Sequence, residues 1–309
     1  VGGLVGYLNS SALSDSYFEG SISGTVNALG LVGGIQDDFA IINSFYNIDD
    51  VLINGGHYVT IGGIYNDQYN DWIADKALHI GDYPTLALNG GYYEISTVQG
   101  MRDLLGFAGD PPYKFRLSAD IDLASVPGLF IPLLKADFDG SGHTISNLYV
   151  NQPFNGGLGM FGIVQSDIAN LGLENVSITG AATVGGLAAV LWGSIDNEAV
   201  VSNSYVTGSV TGEENVGGLA GVLINSAISN SYFAGTVTGT TNVGGLAGYN
   251  EDGTGTIASS YWDTDLSGLA DGVGAGGGGG TGLTTAQMMQ QANFVGWDFD
   301  NIWYINEGI

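Results

Sequence analysis

One phrase, Val-Gly-Gly followed by Leu or Ile, constrains this chain more than anything else in it. Copies begin at Val1, Val32, Val184, Val216 and Val243, so neighbouring copies are 31, 32 and 27 residues apart within the two runs. A degenerate copy, NGGLGMFG, lies at 155–162. A second phrase falls between the copies: SDSYF at 14–18, NSFY at 43–46, SNSYV at 202–206, SNSYF at 229–233 and SSYW at 259–262. A period of this size marks a stack of small units, none of which can bury its apolar face without neighbours.

Residue type decides what the unit is. Helical repeats need Ala, Leu, Glu, Lys and Arg at helical spacing. Here the units read as short alternating runs such as AISNSYFAG and TVTG, rich in β-branched and aromatic residues. Glycine, 53 of 309 residues, is about twice its usual share of about 7%. It interrupts the chain every few residues, where turns call for positive φ. Each unit therefore supplies about three short strands. Stacked in register, every strand pairs with its counterpart one coil along, about 4.8 Å away. The expected fold is all-β: a right-handed parallel β-helix, or solenoid, with short capping helices. Six coils in its longer part would give a rod of about 30 Å. Repeated Val, Leu, Ile and Tyr stack like on like inside it, and the glycine pairs turn its corners.

Charge narrows function. The net charge is −26, from 31 acidic and 5 basic residues, and no Lys or Arg follows Lys135. Binding a nucleic-acid backbone requires cations, which excludes nucleic acid, and anionic membrane surfaces are disfavoured for the same reason. There is no cysteine, hence neither disulfide nor thiolate metal site. No run of about 18 apolar residues occurs, so no membrane-spanning helix is expected. Val1 opens inside a repeat phrase, and the chain reads as a piece of something longer or as a processed form.

At this point a resemblance becomes specific. NVGGLAGYN at 242–250, together with SNSYFAG at 229–235, resembles the GLUG repeat of large secreted bacterial surface proteins. These include filamentous-haemagglutinin-like adhesins, and the repeat is also an accessory region of some immunoglobulin A peptidases. The stretch 115–150, with its ADIDL and FDGSGHTI phrases, resembles the coil that precedes such repeats. SYWDTDLSG at 260–268 and GLTTAQMMQQANFVGWDFDNIWYINEG at 282–308 resemble the closing segment. The resemblance implies a non-catalytic, elongated stalk or adhesive region, secreted and held at the bacterial cell surface. Its partner would be a protein or glycan of a host or neighbouring cell. The rival reading is a self-assembling subunit of an extracellular fibre or surface layer, whose partners are copies of itself.

The closing segment occurs twice. Trp297 to Glu307 matches Trp72 to Asp82 at a constant offset of 225, while Ser260 matches Ser44 at 216 and Ser231 matches Ser16 at 215. Residues 1–90 thus read as the last coils and closing segment of one module, and 91–309 as a second, nearly complete one. Two capping boxes announce short helices, Ser96 with Gln99 and Thr284 with Gln287. The run GLADGVGAGGGGGTG at 268–282 reads as a flexible loop.

Candidate chemistry is sparse. Glycoside hydrolysis needs two positioned carboxylates, and the pairs Asp120/Asp122, Asp137/Asp139 and Asp263/Asp265 are spaced to share a strand face. A lyase also needs a cation for the developing anion, and none follows Lys135. The reading is therefore not an enzyme, with no catalytic residue and no required cofactor. His57, His79 and His143 are scattered and lack an HExxH helix, which excludes a zinc-peptidase site; His143 reads as a turn residue bonding nearby backbone. Calcium is the candidate ion, with hard oxygen ligands from Asp49, Asp50, Asp263 and Asp265 after the SFY and SYW phrases. Exposed aromatics are the candidate ligand contacts: Tyr58, Tyr65, Tyr69 and Trp72, whose rings could stack on a sugar or fill a protein interface.

Stacked coils bring like charges together, so self-repulsion should oppose folding at low ionic strength. The melting temperature should rise as NaCl shortens the Debye length from about 30 Å at 0.01 M to about 10 Å at 0.1 M. Specific calcium sites would add a further rise by mass action, beyond ionic-strength-matched sodium. Calorimetry in matched buffers reads both effects, and a salt-independent melting temperature removes the electrostatic argument.

Overall fold

The computed structural model describes residues 1–36, 39–194 and 196–305. The last positions of the 297–307 match lie outside the described residues. The fold is the expected all-β parallel β-helix, built as two coil stacks. The longer stack has three main ladders. The first carries the interior column Phe115, Phe138, Ile168, Val201, Ile228 and Ile257, paired coil to coil in parallel register. The second carries Ile121, Ile145, Leu173, Val206, Phe233 and Trp262. The third carries Ile131, Phe161, Ala188, Ala220, Ala247 and Val273. Complete coils also contain a short fourth segment, the Val-Gly-Gly phrase itself, in which Val184, Val216 and Val243 pair. A full coil therefore has four strands where the sequence pattern indicated three. At about 4.8 Å per strand the eight-stranded ladder extends about 34 Å.

The SNSY phrase shows why it repeats. The Asn sits in the left-handed region, with φ 49° at Asn203 and 46° at Asn230, a conformation Asn tolerates because its side chain can bond locally. That turn points the next serine inward. Ser204, Ser231 and Ser260 are fully buried, and each hydroxyl donates to the carbonyl two residues back at 2.8–2.9 Å. Each then accepts a backbone N–H from the preceding coil: Leu171 to Ser204 at 3.2 Å, Ser204 to Ser231 at 3.1 Å and Ser231 to Ser260 at 3.2 Å. In the shorter stack Ser44 accepts from Ser16 N at 3.2 Å in the same way. Asparagines add an outer ladder, with Asn203 donating to Asn170 and Asn242 to Asn215.

The glycine pairs have a different cause from the one the sequence suggested. None of Gly185, Gly186, Gly217, Gly218, Gly244 and Gly245 has positive φ. They are glycines because no Cβ fits. At Gly217 a Cβ would lie 2.1 Å from the Ala220 carbonyl oxygen, and at Gly218 it would lie 2.3 Å from Cγ of Phe233. The phrase is where the backbone presses on its own next strand and on the interior aromatic column.

The stretch 268–282 is not a loop but the last coil. Val273–Ala275 pairs with Ala247–Asn250, and Thr281–Leu283 pairs with Tyr261–Asp263. Its glycines lie under the preceding coil: a Cβ at Gly274 would sit 2.3 Å from Val243 N. The start of the long stack is covered by an antiparallel strand, Ala87–Asn89 on Tyr92–Ile95, and by helix α2, Val98–Asp103, whose Met101 is buried. Thr97, not Ser96, caps α2 by accepting from Gly100 N at 3.1 Å, and Gln99 reaches Asp103 instead of closing a capping box. Helix α1, Asn66–Asp75, precedes it without a side-chain cap. The Thr284–Gln287 capping box forms as expected, on a helix of four residues, Thr285–Met288.

The shorter stack comprises residues 1–64. It does not continue the long stack end to end but lies along its side. Asn27 N donates to Phe154 O at 2.9 Å, Gly156 N to Asn27 Oδ1 at 3.1 Å, and Gln152 Nε2 to Val59 O at 3.3 Å. Phe39 stands against Trp192 with ring centroids 6.2 Å apart, and Tyr58 against Phe154 at 5.1 Å. Ser10 lines a recess with Trp192 and Asn225, whereas Thr60 and Ile61 line one with Ile131 and Pro132. The two stacks thus progress in opposite directions, and α1 and α2 occupy the reversal between them.

The serine ladder and the glycine contact make separable predictions. Ser231→Ala leaves the Ser204 N–H buried without its acceptor, which should cost about 1–3 kcal/mol. Gly218→Ala forces Cβ into Phe233, and overpacking of this kind should cost about 1–3 kcal/mol or more. Urea denaturation followed by circular dichroism measures both; wild-type midpoints for both variants would refute this account of the repeat.

Candidate functional site

The candidate residues gather at and beyond the end of a Ser-aromatic-aromatic strand in each stack. In the long stack that strand ends at Asp263, which is buried. Its Oδ1 accepts Asp265 N at 2.9 Å and Leu266 N at 3.0 Å, which caps helix α3, Thr264–Ser267. Its Oδ2 accepts the Thr285 hydroxyl at 2.7 Å, and Asp265 Oδ2 accepts Thr285 N at 3.1 Å. The short stack does the same with different residues. Asn47 Oδ1 accepts Asp49 N at 3.0 Å, Asp49 Oδ2 accepts Asn66 N at 2.9 Å at the start of α1, and Asp50 accepts from the Asn47 amide.

The four aspartates offered as calcium ligands are thus helix and turn anchors. Their oxygens accept from N–H and O–H donors, and those of Asp263 and Asp265 meet on Thr285. Among the described residues no group of three or more His, Cys, Asp or Glu is placed to hold a metal ion. The other carboxylates behave alike. Asp120 accepts Thr144 N at 2.9 Å and the His143 ring at 3.1 Å; His143 bonds this carboxylate, not backbone. Asp122 accepts the Asn147 amide at 2.8 Å. The Thr144 N–H foremost, and the Asn147 amide foremost, hold these two carboxyls below the usual carboxylate range. Asp137 pairs with Lys114 at 2.8 Å, and Asp139 accepts Ser141 N at 2.8 Å.

The aromatic candidates also change character. Trp72 is 1% exposed and Tyr69 6%. Helix α1 puts both on its inner face, three residues apart, where Trp72 meets Tyr17 at 6.1 Å and Phe45 at 5.6 Å. The Trp72 indole N–H donates to Asn43 Oδ1 at 2.6 Å. Tyr65 is half-buried beneath the Arg102 guanidinium, 3.8 Å from its ring, and burial pushes its phenol up. Tyr58 is half-buried against Phe154. These rings cover the outward Tyr17–Phe45 column and dock the two stacks; they are not a free platform.

The second copy of the closing segment is more open. Its outward column is Tyr205, Tyr232 and Tyr261, with the first two stacked at 5.1 Å and 3°. Trp297 lies on Tyr232 and Tyr261 at 6.1 and 5.6 Å, and Trp303 on Tyr205 and Tyr232 at 6.3 and 5.8 Å. The two indoles stack at 4.2 Å. The Trp297 N–H donates to Ser259 O at 2.7 Å, and Ser259 is the counterpart of Asn43 at an offset of 216. Between Tyr232, Trp297, Trp303 and Tyr304, with Asp263 and Thr285 also in its lining, is a recess of about 280 Å³. Tyr304 is 87% exposed. Glu174 accepts the Tyr205 hydroxyl at 2.6 Å; burial first, and Glu174 after it, push the Tyr205 and Tyr232 phenols up. This recess was missed as a site in the sequence, although five aromatics within 294–304 were the available signal.

Asp263→Ala removes the cap of α3 and the tie to Thr285, and should cost about 1–2 kcal/mol. The same change should loosen the cover over the tyrosine column and shift tryptophan emission to the red in the native state. Urea titration by fluorescence reads both, and an unchanged midpoint with unchanged emission contradicts the anchoring role.

A family model described as the GLUG motif matches residues 212–238. No curated protein sequence matches the chain. Among solved structures, that of a candidate immunoglobulin A1 protease from Bacteroides ovatus, at 1.30 Å, is similar with a TM-score of 0.46 and 18% identity, over 68% of this chain and 89% of that one. The matched residues run from Gly212 through the Val216-Gly217-Gly218 phrase to Thr238, so the chain carries a GLUG motif on one complete coil of its β-helix.

Proposed function

We propose that this chain is a non-catalytic structural and adhesive region of a secreted bacterial surface protein. The observation that carries the reading is the repeating coil itself. Cross-section is fixed by the serine and asparagine ladders, so coil number alone sets how far the region extends, which suits a spacer. The GLUG motif at 212–238 and the resemblance of the flanking phrases favour a bacterial surface setting. The carboxylates that a hydrolase would need are used as turn and helix acceptors, which supports a structural reading over a catalytic one. None of the described helices is long and apolar enough to cross a membrane.

A second reading is a subunit of an extracellular fibre. It is favoured by the way the two stacks already pack side by side, through Asn27 against Phe154 and Phe39 against Trp192. Light scattering and electron microscopy separate the two: a monodisperse monomer supports the spacer, and ordered polymers support the fibre.

Antibodies raised against the chain should label intact cells of the source bacterium without permeabilisation. Labelling that requires permeabilisation overturns the surface assignment.

A further inference from the structure

The two copies of the closing segment differ in one chemical respect. In the first, the Lys76 ammonium lies 4.9 Å from the Trp72 ring centroid and 5.7 Å from that of Tyr17. The offset of 225 that relates Trp72 to Trp297 places Asn301 where the lysine was. The Asn301 amide turns back to Asp298 at 3.0 Å and leaves the rings without a cation. No Lys or Arg follows Lys135, so nothing in this half of the chain can replace it. Elsewhere the chain places cations over its rings repeatedly: Arg102 over Tyr65 at 3.8 Å, Lys135 over Phe39 at 4.5 Å and Arg116 over Tyr92 at 5.4 Å.

We propose that the recess between Tyr232, Trp297, Trp303 and Tyr304 binds an exposed lysine side chain of a partner polypeptide, its ammonium against the indole and phenol rings that line the recess. Shape, charge and chemistry agree. The recess of about 280 Å³ accommodates a four-carbon stem on apolar walls. Trp and Tyr faces attract an ammonium through the ring quadrupole. Asp263, which lines the recess, and Glu174 at the Tyr205 hydroxyl add negative charge beside it. The whole chain, at −26, draws basic partners and repels acidic ones. This chemistry stands wherever the chain resides, so it goes beyond the surface assignment and is measured separately from it.

The probe is the tripeptide Gly-Lys-Gly, capped at both ends, titrated against the purified chain at low salt while tryptophan emission is followed. Saturable quenching is expected, weakening as NaCl is raised. The matching peptide with norleucine, which keeps the stem and lacks the ammonium, should give no saturable change. Asn301→Lys restores the cation in place and should weaken the lysine peptide roughly tenfold, while Asn301→Gln leaves it unchanged. Asn301 is exposed, and the melting temperatures of both variants confirm folding. Equal binding of the norleucine peptide overturns the proposal. So does absence of saturation with the lysine peptide, or an affinity that Asn301→Lys does not alter.

Discussion

The structure depends on one demand: each coil must present the next with the same cross-section, polar groups included. A backbone N–H at this corner of the solenoid is buried and has no strand partner. The buried serine one coil along satisfies it, while its own hydrogen goes to the carbonyl two residues back. A buried donor left without an acceptor costs more than the bond itself contributes, so the serine is held by what its absence would expose. The aromatic that follows it is then fixed to the outer column, and the one after that to the inner column. Register, interior ladders and outer tyrosine stack all descend from that hydroxyl.

What lies outside the coils is cover. An outward column of aromatic rings at successive coils is a wet apolar stripe, and both closing segments deposit indoles on it. The first uses a helix to do so and the second a series of turns held by Asp298. Yet the indole N–H reaches the same place, Asn43 in one and Ser259 in the other. The hydrogen-bond address is kept while the secondary structure carrying the tryptophan is not. The aspartates after each strand serve this cover by tying the segment's first N–H groups to the coil.

Much of the fold was legible in the sequence because a solenoid writes its contacts as self-similarity. Val206, Phe233 and Trp262 read as one column since each follows a Ser-Tyr pair. The parts that escaped were those decided by neighbours that have no repeat. The glycine run 271–282 looks flexible in isolation, and it is ordered because the preceding coil supplies its strand partners and leaves no room for a side chain at positions such as Gly274 and Gly276. The Val-Gly-Gly glycines suggested corners, whereas close contact with Phe233 and the next strand is what selects them. Tyr65, Tyr69 and Trp72 looked exposed because NDQYNDWIAD carries so many polar residues. The helix turns those polar groups out and the rings in, a division that becomes visible only once the column beneath is in place. The aspartate pairs offered two readings, because carboxylates that cap helices and carboxylates that ligate ions share the same short spacing.

The reversal of direction between the two stacks has a mechanical consequence. The earliest coil of the short stack and the last coil of the long one lie toward the same end of the molecule. Tension applied between those two coils acts first across the stacking axis, on the side contacts that join the stacks, and along the inter-coil hydrogen bonds once those contacts have opened. Such a load peels one coil at a time and does not shear a whole sheet at once, since each coil contacts only its neighbours. The folded hairpin of coils is then a reel: short at rest, extended in steps under load, with the contacts of Asn27, Phe39 and Tyr58 against the long stack as the first catch to be released.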